Sequence, residues 1–435
     1  MSLQDIVEPE KVEELLVTHL KENKIFHDGP RSWTIRYSSL GGRGIFATRD
    51  IEQNELIFID APLLIGPRCA GKQLQMCVCC YKNECPLFPC DRGCGLPVCS
   101  VQCENSPMHI ELLKKNVTNL PNEKDLELMK RVCEVFNTNS FETVSVHDKD
   151  HSTSLRSLYP MGALQNHCCV PNTRHHFDGE FRLYVTAALP ISAGEEITMT
   201  YTRLFWDTTL RRNFLSLTKH FSCACRRCSD PTEFGSKLGA LLCAHDSCFG
   251  ELLPRNPLNL GTSWVCNKCS TTINYRQIYS IRSGIAAIME ENLYKTPRQI
   301  YKFMQKELSV VVPWSNYFII DVKFRIVSCY GRSDGLAWED LTDTELDIKA
   351  KYCNDLLSVI DALNCGDCKK RGLLLYELYC TNLEKIKRLQ QQQNMEKVNE
   401  NQHLLEKAVT ILQNDILSTA NFQYDQKYFK QLITV

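Results

Sequence analysis

Nineteen of the 24 cysteines in this chain fall between Cys69 and Cys269. Cysteine clustered that densely means either a disulfide framework or bound metal, and the choice turns on the compartment. The first residues, MSLQDIVEPEKVEELL, are rich in acids and lack an apolar h-region, so they do not read as a signal peptide. No run of 18 apolar residues is present, so no transmembrane helix and no membrane partner are expected. The expected setting is intracellular and reducing, in nucleus or cytoplasm, where clustered cysteines hold metal rather than each other. Thiolate-rich sites with C-x-x-C spacing favour zinc.

The cysteines form three groups. The first contains the pairs Cys77 and Cys80, Cys90 and Cys94, and Cys99 and Cys103, followed by His109. Repeated short spacings of this kind are a strong zinc signal, and binding energy there becomes folding energy. Saturated thiolate sites leave no open coordination position, so this group reads as a structural knob without chemistry of its own. The second group, Cys223, Cys225 and Cys228, is one ligand short; Cys168 or Cys169 can supply it. The third pairs Cys243 and Cys248 with Cys266 and Cys269, as in a zinc ribbon, with His245 as an alternative ligand.

The rest of the chain is organised around these groups. With 435 residues it is long enough for two or three domains. The 50 basic residues against 51 acidic ones provide no global field for nucleic acid. A local basic set, Arg211, Arg212, Lys219, Arg226 and Arg227, reads as solvated surface. EKVEELLVTHLKENK, from residue 10 to 24, has the periodicity of an amphipathic helix. TIRYSS, GIFATR and ELIFIDAPLLIG are β-type runs, and a polar helix is expected over about 107–137. FETVSVHDKDHSTS reads as a loop, after which FRLYVTAALP and EEITMTY return to β-type pattern. Beyond about residue 275, apolar residues recur at helical spacing, as in Leu373, Leu374 and Leu378, and an all-helical domain is expected. The turn at Gly41, Gly42 and Gly44 permits close backbone approach to a ligand, and Tyr201 ends an alternating strand; each is weak evidence alone.

Together and in order, GGRGIF, NHCCVPN, GEEITMTY and CACRRC resemble a SET domain, and the cluster at 77–109 inserted between the first two resembles a MYND zinc finger. The chain is thus similar to the SET and MYND domain (SMYD) protein lysine methyltransferases, with a ribbon-bearing tail like that of the arthropod branch. The resemblance implies an α+β fold: a β-rich, knot-like SET domain with the inserted finger, a post-SET zinc site, a ribbon and an all-helical C-terminal domain. The implied division is an N-terminal helix (1–30), SET segments at 31–76 and 161–220, a MYND finger (77–113), a helical insert (114–160), post-SET site and ribbon (221–272), and a TPR-like helical domain (273–435). It implies S-adenosylmethionine as cofactor, two to four zinc ions, a protein lysine (a histone lysine among the candidates) as substrate, protein partners through the MYND finger, a role in regulating gene expression, and a monomer. A corepressor-like scaffold that recruits proteins without catalysis is the alternative.

By motif matching, Gly42, Arg43 and Gly44 lie along the cofactor, Asn166 and His167 bind its amino-acid and adenosine portions, and Phe221 packs on the adenine. Tyr201 stands at the methyl-transfer channel as cofactor contact and catalytic residue. Cys169, rather than Cys168, joins Cys223, Cys225 and Cys228 on zinc. In the interleaved finger arrangement Cys77, Cys80, Cys99 and Cys103 form one complete site, leaving Cys90, Cys94 and His109 short of a ligand; either Cys85 or water supplies it, or that second zinc is weak or absent. Three positions depart from the family pattern: Cys168 replaces a serine, Leu113 replaces the last finger cysteine, and Lys219 stands where many active members carry a second channel tyrosine.

Overall fold

The helix read at the N-terminus runs Pro9–Glu22; proline fits its first turn, where no backbone N–H is needed. It buries Leu16 and Leu20 against a core that includes Trp33, Ile35, Ile45 and Ile197. The structure is a computed structural model that describes residues 8–26, 29–67, 76–83, 85–90, 96–106, 123–147, 152–292, 294–389, 395–413 and 415. His19 on this helix reaches the fully buried Asp60 (Nε2 to Oδ1, 3.2 Å), whose other oxygen accepts the N–H groups of Met161 (2.7 Å) and Gly162 (3.0 Å). A buried carboxylate persists because it is fully hydrogen-bonded.

Two small antiparallel sheets carry the motifs. In the first, Arg43–Ala47 lies between Trp33–Tyr37 and Glu196–Ile197, with Ile45 opposite both Ile35 and Ile197. The two-residue alternation of strands places these three isoleucines on the core face. In the second, Leu183–Ala187 is central between Leu56–Asp60 and Thr173–Phe177, with a bulge between Val185 and Thr186. His167 makes a parallel bridge with Met199. The Cys168 N–H donates to the Met199 carbonyl (2.9 Å), and the Met199 N–H donates to the Asn166 carbonyl (3.0 Å). That bridge draws the NHCC and ITMTY segments side by side.

The segment expected as a loop is instead a hairpin. Phe141–Val146 pairs with Ser152–Leu158, which pairs in turn with Leu64–Pro67. Its inward positions include Thr143, Thr153 and Ser157, all buried, so the period of two was disguised by hydroxyl residues. The polar helix before it runs Glu123–Asn139. Cys69, Cys94, His109, Leu113 and the glutamine run at 390–393 lie outside the described residues.

The ribbon is a four-stranded meander of Leu241–Leu242, Glu251–Pro254, Trp264–Cys266 and Thr272–Ile273. Helices Tyr275–Asn292, Pro297–Lys306, Tyr317–Cys329, Asp343–Ala362, Lys369–Leu389 and Met395–Leu412 follow, as the periodicity predicts. Capping boxes start two of them, Thr296 with Gln299 and Thr342 with Glu345. Leu252 and Trp264 of the ribbon share one hydrophobic core with Ile278, Ile285 and Phe303 of the helices. Among the described residues, no helix is long and apolar enough to cross a membrane.

Candidate active site and metal centres

Among the described residues, the fold gathers twelve cysteines into three sets of four: Cys77, Cys80, Cys99 and Cys103; Cys169, Cys223, Cys225 and Cys228; and Cys243, Cys248, Cys266 and Cys269. Within each set every sulfur lies within 4.8 Å of the others. Sulfur–sulfur distances are 3.6 Å for Cys80–Cys99 and Cys99–Cys103, 3.9 Å for Cys169–Cys223, 3.5 Å for Cys169–Cys228, and 3.6 Å for Cys243–Cys269 and Cys248–Cys266. A tetrahedral zinc ion with Zn–S bonds of about 2.3 Å requires sulfur–sulfur edges of about 3.8 Å, so all three sets fit it. His245 is outside the ribbon set; its ring faces the Asp246 carbonyl. Cys90 is buried in the apolar centre of the finger, beside Val98. Cys85 is turned to the Lys82 carbonyl.

The second set is tied to the sheet through His167. The Tyr201 N–H donates to Nδ1 of His167 (2.9 Å), which leaves the proton on Nε2 to be donated to Cys169 Sγ (3.2 Å). Burial pulls the imidazole pKa down to about 4, so the ring is neutral at neutral pH. Both ring nitrogens are therefore engaged within the protein, and what His167 offers a cofactor is its backbone. Cys168 stands beside Cys225 but belongs to no set of four.

Beneath the same set lies a buried ionic cluster that corrects the solvated-surface reading for Arg211, Arg212 and Arg227, while Arg226 is exposed as that reading expects. Helix Thr208–Lys219 begins with an Asp207 cap on the Leu210 N–H and turns Thr208, Arg211, Arg212 and Leu215 inward. Arg211 and Arg227 are completely buried. Glu233 Oε2 accepts from both, at 2.6 Å from Arg211 Nη1 and 2.9 Å from Arg227 Nε, while its Oε1 accepts the Thr208 N–H. Arg211 Nη2 also donates to Cys228 Sγ (3.5 Å), and Arg227 Nη1 to the Cys169 carbonyl (3.4 Å). Two cations sharing one carboxylate leave one buried positive charge, which a doubly negative zinc tetrathiolate would offset if the set holds zinc. Arg212 is spent on the Pro257 and Leu258 carbonyls, which ties the helix to the chain before the ribbon's third strand. The i, i+3, i+4, i+7 spacing of Thr208, Arg211, Arg212 and Leu215 marked this face in the sequence; charge-run reasoning hid it.

The glycine turn, Asn166, Tyr201 and Phe221 meet at one edge of this scaffold. A Cβ on Gly44 would lie 2.1 Å from Glu196 Oε1 and 3.0 Å from Asn166 Nδ2, so only glycine lets the turn close there. Asn166 Nδ2 donates to Glu196 Oε1 (2.7 Å) and to the Arg43 carbonyl (3.1 Å), and Ser38 Oγ donates to Glu196 Oε2 (2.7 Å). Glu196, which sequence reasoning passed over inside GEEITMTY, is thus the clasp between the turn and Asn166. The rings of His167, Tyr201 and Phe221 stand 5.2 to 6.4 Å apart. A polar clasp with open glycine backbone at one end and an aromatic cluster at the other suits a ligand with a charged head and a flat heterocycle. The Tyr201 hydroxyl donates to the Gln165 carbonyl (2.6 Å), and burial pushes its pKa up to about 12, so it stays protonated. Beside it is a cavity of about 170 Å³ lined by Thr138, Phe141, Gly162, Met199, Tyr201 and Lys219, among others.

Comparisons with known proteins agree with this geometry. A family model described as SET domain matches residues 42–202. The Drosophila melanogaster SET domain-containing protein SmydA-8, isoform B, is 30% identical over 414 residues, covering 80% of this chain and 90% of that protein. The Xenopus laevis N-lysine methyltransferase SMYD2-B is 32% identical over 138 residues, 32% of this chain and 30% of that protein. The Arabidopsis thaliana histone-lysine N-methyltransferase ASHR1 is 28% identical over 168 residues, 38% of this chain and 34% of that protein. With its cysteine sets, its SET sheets and an alignment to a Drosophila relative over most of its length, this chain belongs to the SET and MYND domain-containing (SMYD) family, in its arthropod-type branch.

Proposed function

We propose that the protein is an S-adenosylmethionine-dependent protein lysine N-methyltransferase that acts on a histone or another regulatory protein and thereby on gene expression. The observation that carries this reading is the convergence of the glycine turn, Asn166, Tyr201 and Phe221 beside the Cys169 set, next to a cavity sized for a side chain. When bound, S-adenosylmethionine supplies a methyl group made electrophilic by the adjacent sulfonium. In this reading the backbone of residues 42–44 and of Asn166–His167 holds the charged head, and Phe221 packs on the base. Tyr201 keeps its hydroxyl proton on Gln165, so its oxygen lone pairs are left to orient the acceptor amine. The acceptor must lose its proton to attack, and desolvation in the cavity favours the neutral amine. Alignment of this kind contributes about 7–11 kcal/mol in well-oriented systems. The metal set behind His167 fixes the segment that carries Phe221, a structural metal that shapes the cofactor wall. The finger serves protein partners, and the protein works as a monomer in nucleus or cytoplasm.

A second reading, a SET-derived scaffold that binds cofactor without transfer, is favoured by one observation, the Lys219 side chain on the cavity wall. Calorimetry with S-adenosylmethionine, followed by labelled-methyl transfer to histones and cell proteins beside a Tyr201→Phe control, separates the two. Binding with Tyr201-dependent transfer supports the enzyme. Binding without transfer supports the scaffold, and absence of binding sinks both.

A further inference from the structure

One cation of the chain already faces the acceptor cavity. Lys219 is the last residue of helix Thr208–Lys219, which His220 ends in the left-handed conformation. Its Nζ donates to the Thr138 carbonyl and sits 5.3 Å from the centroid of the Tyr201 ring. Thr138 lies in the last turn of helix Glu123–Asn139, where carbonyls lack intrahelical partners and the helix end favours a cation. The contacts are a carbonyl oxygen and an aromatic face, the two groups that best receive an ammonium without a carboxylate. No carboxylate is among the described residues lining the cavity. Burial also draws the Lys219 pKa below the usual lysine value, consistent with a group held off from solvent.

We propose that Lys219 is a specificity-determining residue: its ammonium occupies the acceptor seat at Thr138 and Tyr201, and the site takes a target lysine that carries a neighbouring Asp or Glu to receive the displaced Lys219. The inference rests on the acceptor reading of the cavity given above. A target lysine without such a neighbour must displace one ammonium by another, and the displaced group finds no counter-charge on the wall. With an acidic neighbour, Lys219 swings from a neutral carbonyl onto a carboxylate, a stronger charge-assisted contact. The substrate class is therefore a lysine flanked by acidic residues, although the chain as a whole is nearly neutral.

The test uses the full chain and two peptides that differ only in Glu or Gln beside one lysine, with wild type, Lys219→Met and Lys219→Arg. The wild type is expected to prefer the Glu peptide by roughly tenfold or more in kcat/KM, mostly through KM. Lys219→Met is expected to use both peptides within about twofold of each other, and Lys219→Arg to keep the preference, with S-adenosylmethionine affinity alike in all three. Equal use of the two peptides by wild type, or a preference surviving in Lys219→Met, would overturn this inference alone, whereas no transfer by any of the three while all bind S-adenosylmethionine would overturn it together with the enzyme reading. No binding by any of them would overturn the proposed function as well. Should Lys219→Met fail to fold, amine acylation of the wild type read by mass spectrometry decides the seat itself. Lys219, held by the Thr138 carbonyl and the Tyr201 ring, is expected to react more slowly than the exposed Lys387, and equal rates would overturn the inference.

Discussion

Replacing Glu233 by Gln removes one negative charge from between two guanidinium groups that have no exposure to water. The carboxylate accepts three hydrogen bonds, from Arg211 (2.6 Å), Arg227 (2.9 Å) and the Thr208 N–H (3.0 Å). A glutamine of nearly the same volume has no charge to share between the two arginines, and its NH2 must face either the Thr208 N–H or both guanidinium groups. Removing one partner of a buried ion pair costs about 3–5 kcal/mol, because the remaining charge is stranded. The loss should appear first at the metal, since Arg211 also touches Cys228 Sγ and Arg227 holds the Cys169 carbonyl. The assay is zinc release to a chromophoric chelator together with denaturant unfolding of the loaded protein. The expected result for Glu233→Gln is faster loss of one zinc equivalent and a destabilisation of about 3–5 kcal/mol. Adding Arg211→Met to Glu233→Gln should recover part of that cost, because the uncompensated charge is then gone. Destabilisation below about 1 kcal/mol, the size of an exposed pair, would refute the reasoning. So would a double variant less stable than either single one.

Three further outcomes are expected. Cys169→Ser should lose one zinc equivalent by elemental analysis and weaken S-adenosylmethionine binding, whereas Cys168→Ser, outside the set of four, should retain both; equal losses would defeat the assignment. His19 has its pKa raised above the ordinary 6.5, chiefly by its hydrogen bond to Asp60 against the opposing effect of burial. Its contribution to stability is therefore complete below about 6.5 and fades as pH rises through the raised folded value, and in His19→Gln unfolding measured across that window should lose this slope. Gly366 sits at φ 55°, and a Cβ there would fall 2.1 Å from the Ala188 carbonyl oxygen. Gly366→Ala should thus loosen the contact of the 365–368 loop with the SET sheet, where the Asp367 N–H donates to Ala188 and Asp367 Oδ2 accepts from Asn54. Faster hydrogen exchange at Asp367 in that variant is the measurement, and unchanged exchange would count against a strained junction.

Much of this molecule was legible from order and spacing. C-x-x-C spacing marked the metal sets because four thiolates must sit at tetrahedral edges, and short loops are the cheapest way to bring them there. Helical periodicity marked the C-terminal helices, because a buried stripe needs residues three and four apart. The order of GGRGIF, NHCC, ITMTY and CACRRC marked the SET fold and the family. The pairing of Phe141–Val146 with Ser152–Leu158 was not legible, because Thr143, Thr153 and Ser157 share the inward positions with Phe141 and Leu155, and only packing reveals that these hydroxyl residues face a core.

What the sequence could not decide were questions of proximity. Which of the two adjacent cysteines joins the set of four was decided by the fold around the bridge between His167 and Met199, which places Cys169 in the set and leaves Cys168 beside it. That Arg211 and Arg227 are interior, and that Glu196 clasps the glycine turn, depends on partners far apart in the chain. The seat of Lys219 depends on a carbonyl 81 positions away. A side chain's type fixes what it is able to bind; only the tertiary fold, by removing water and choosing neighbours, decides what it does bind.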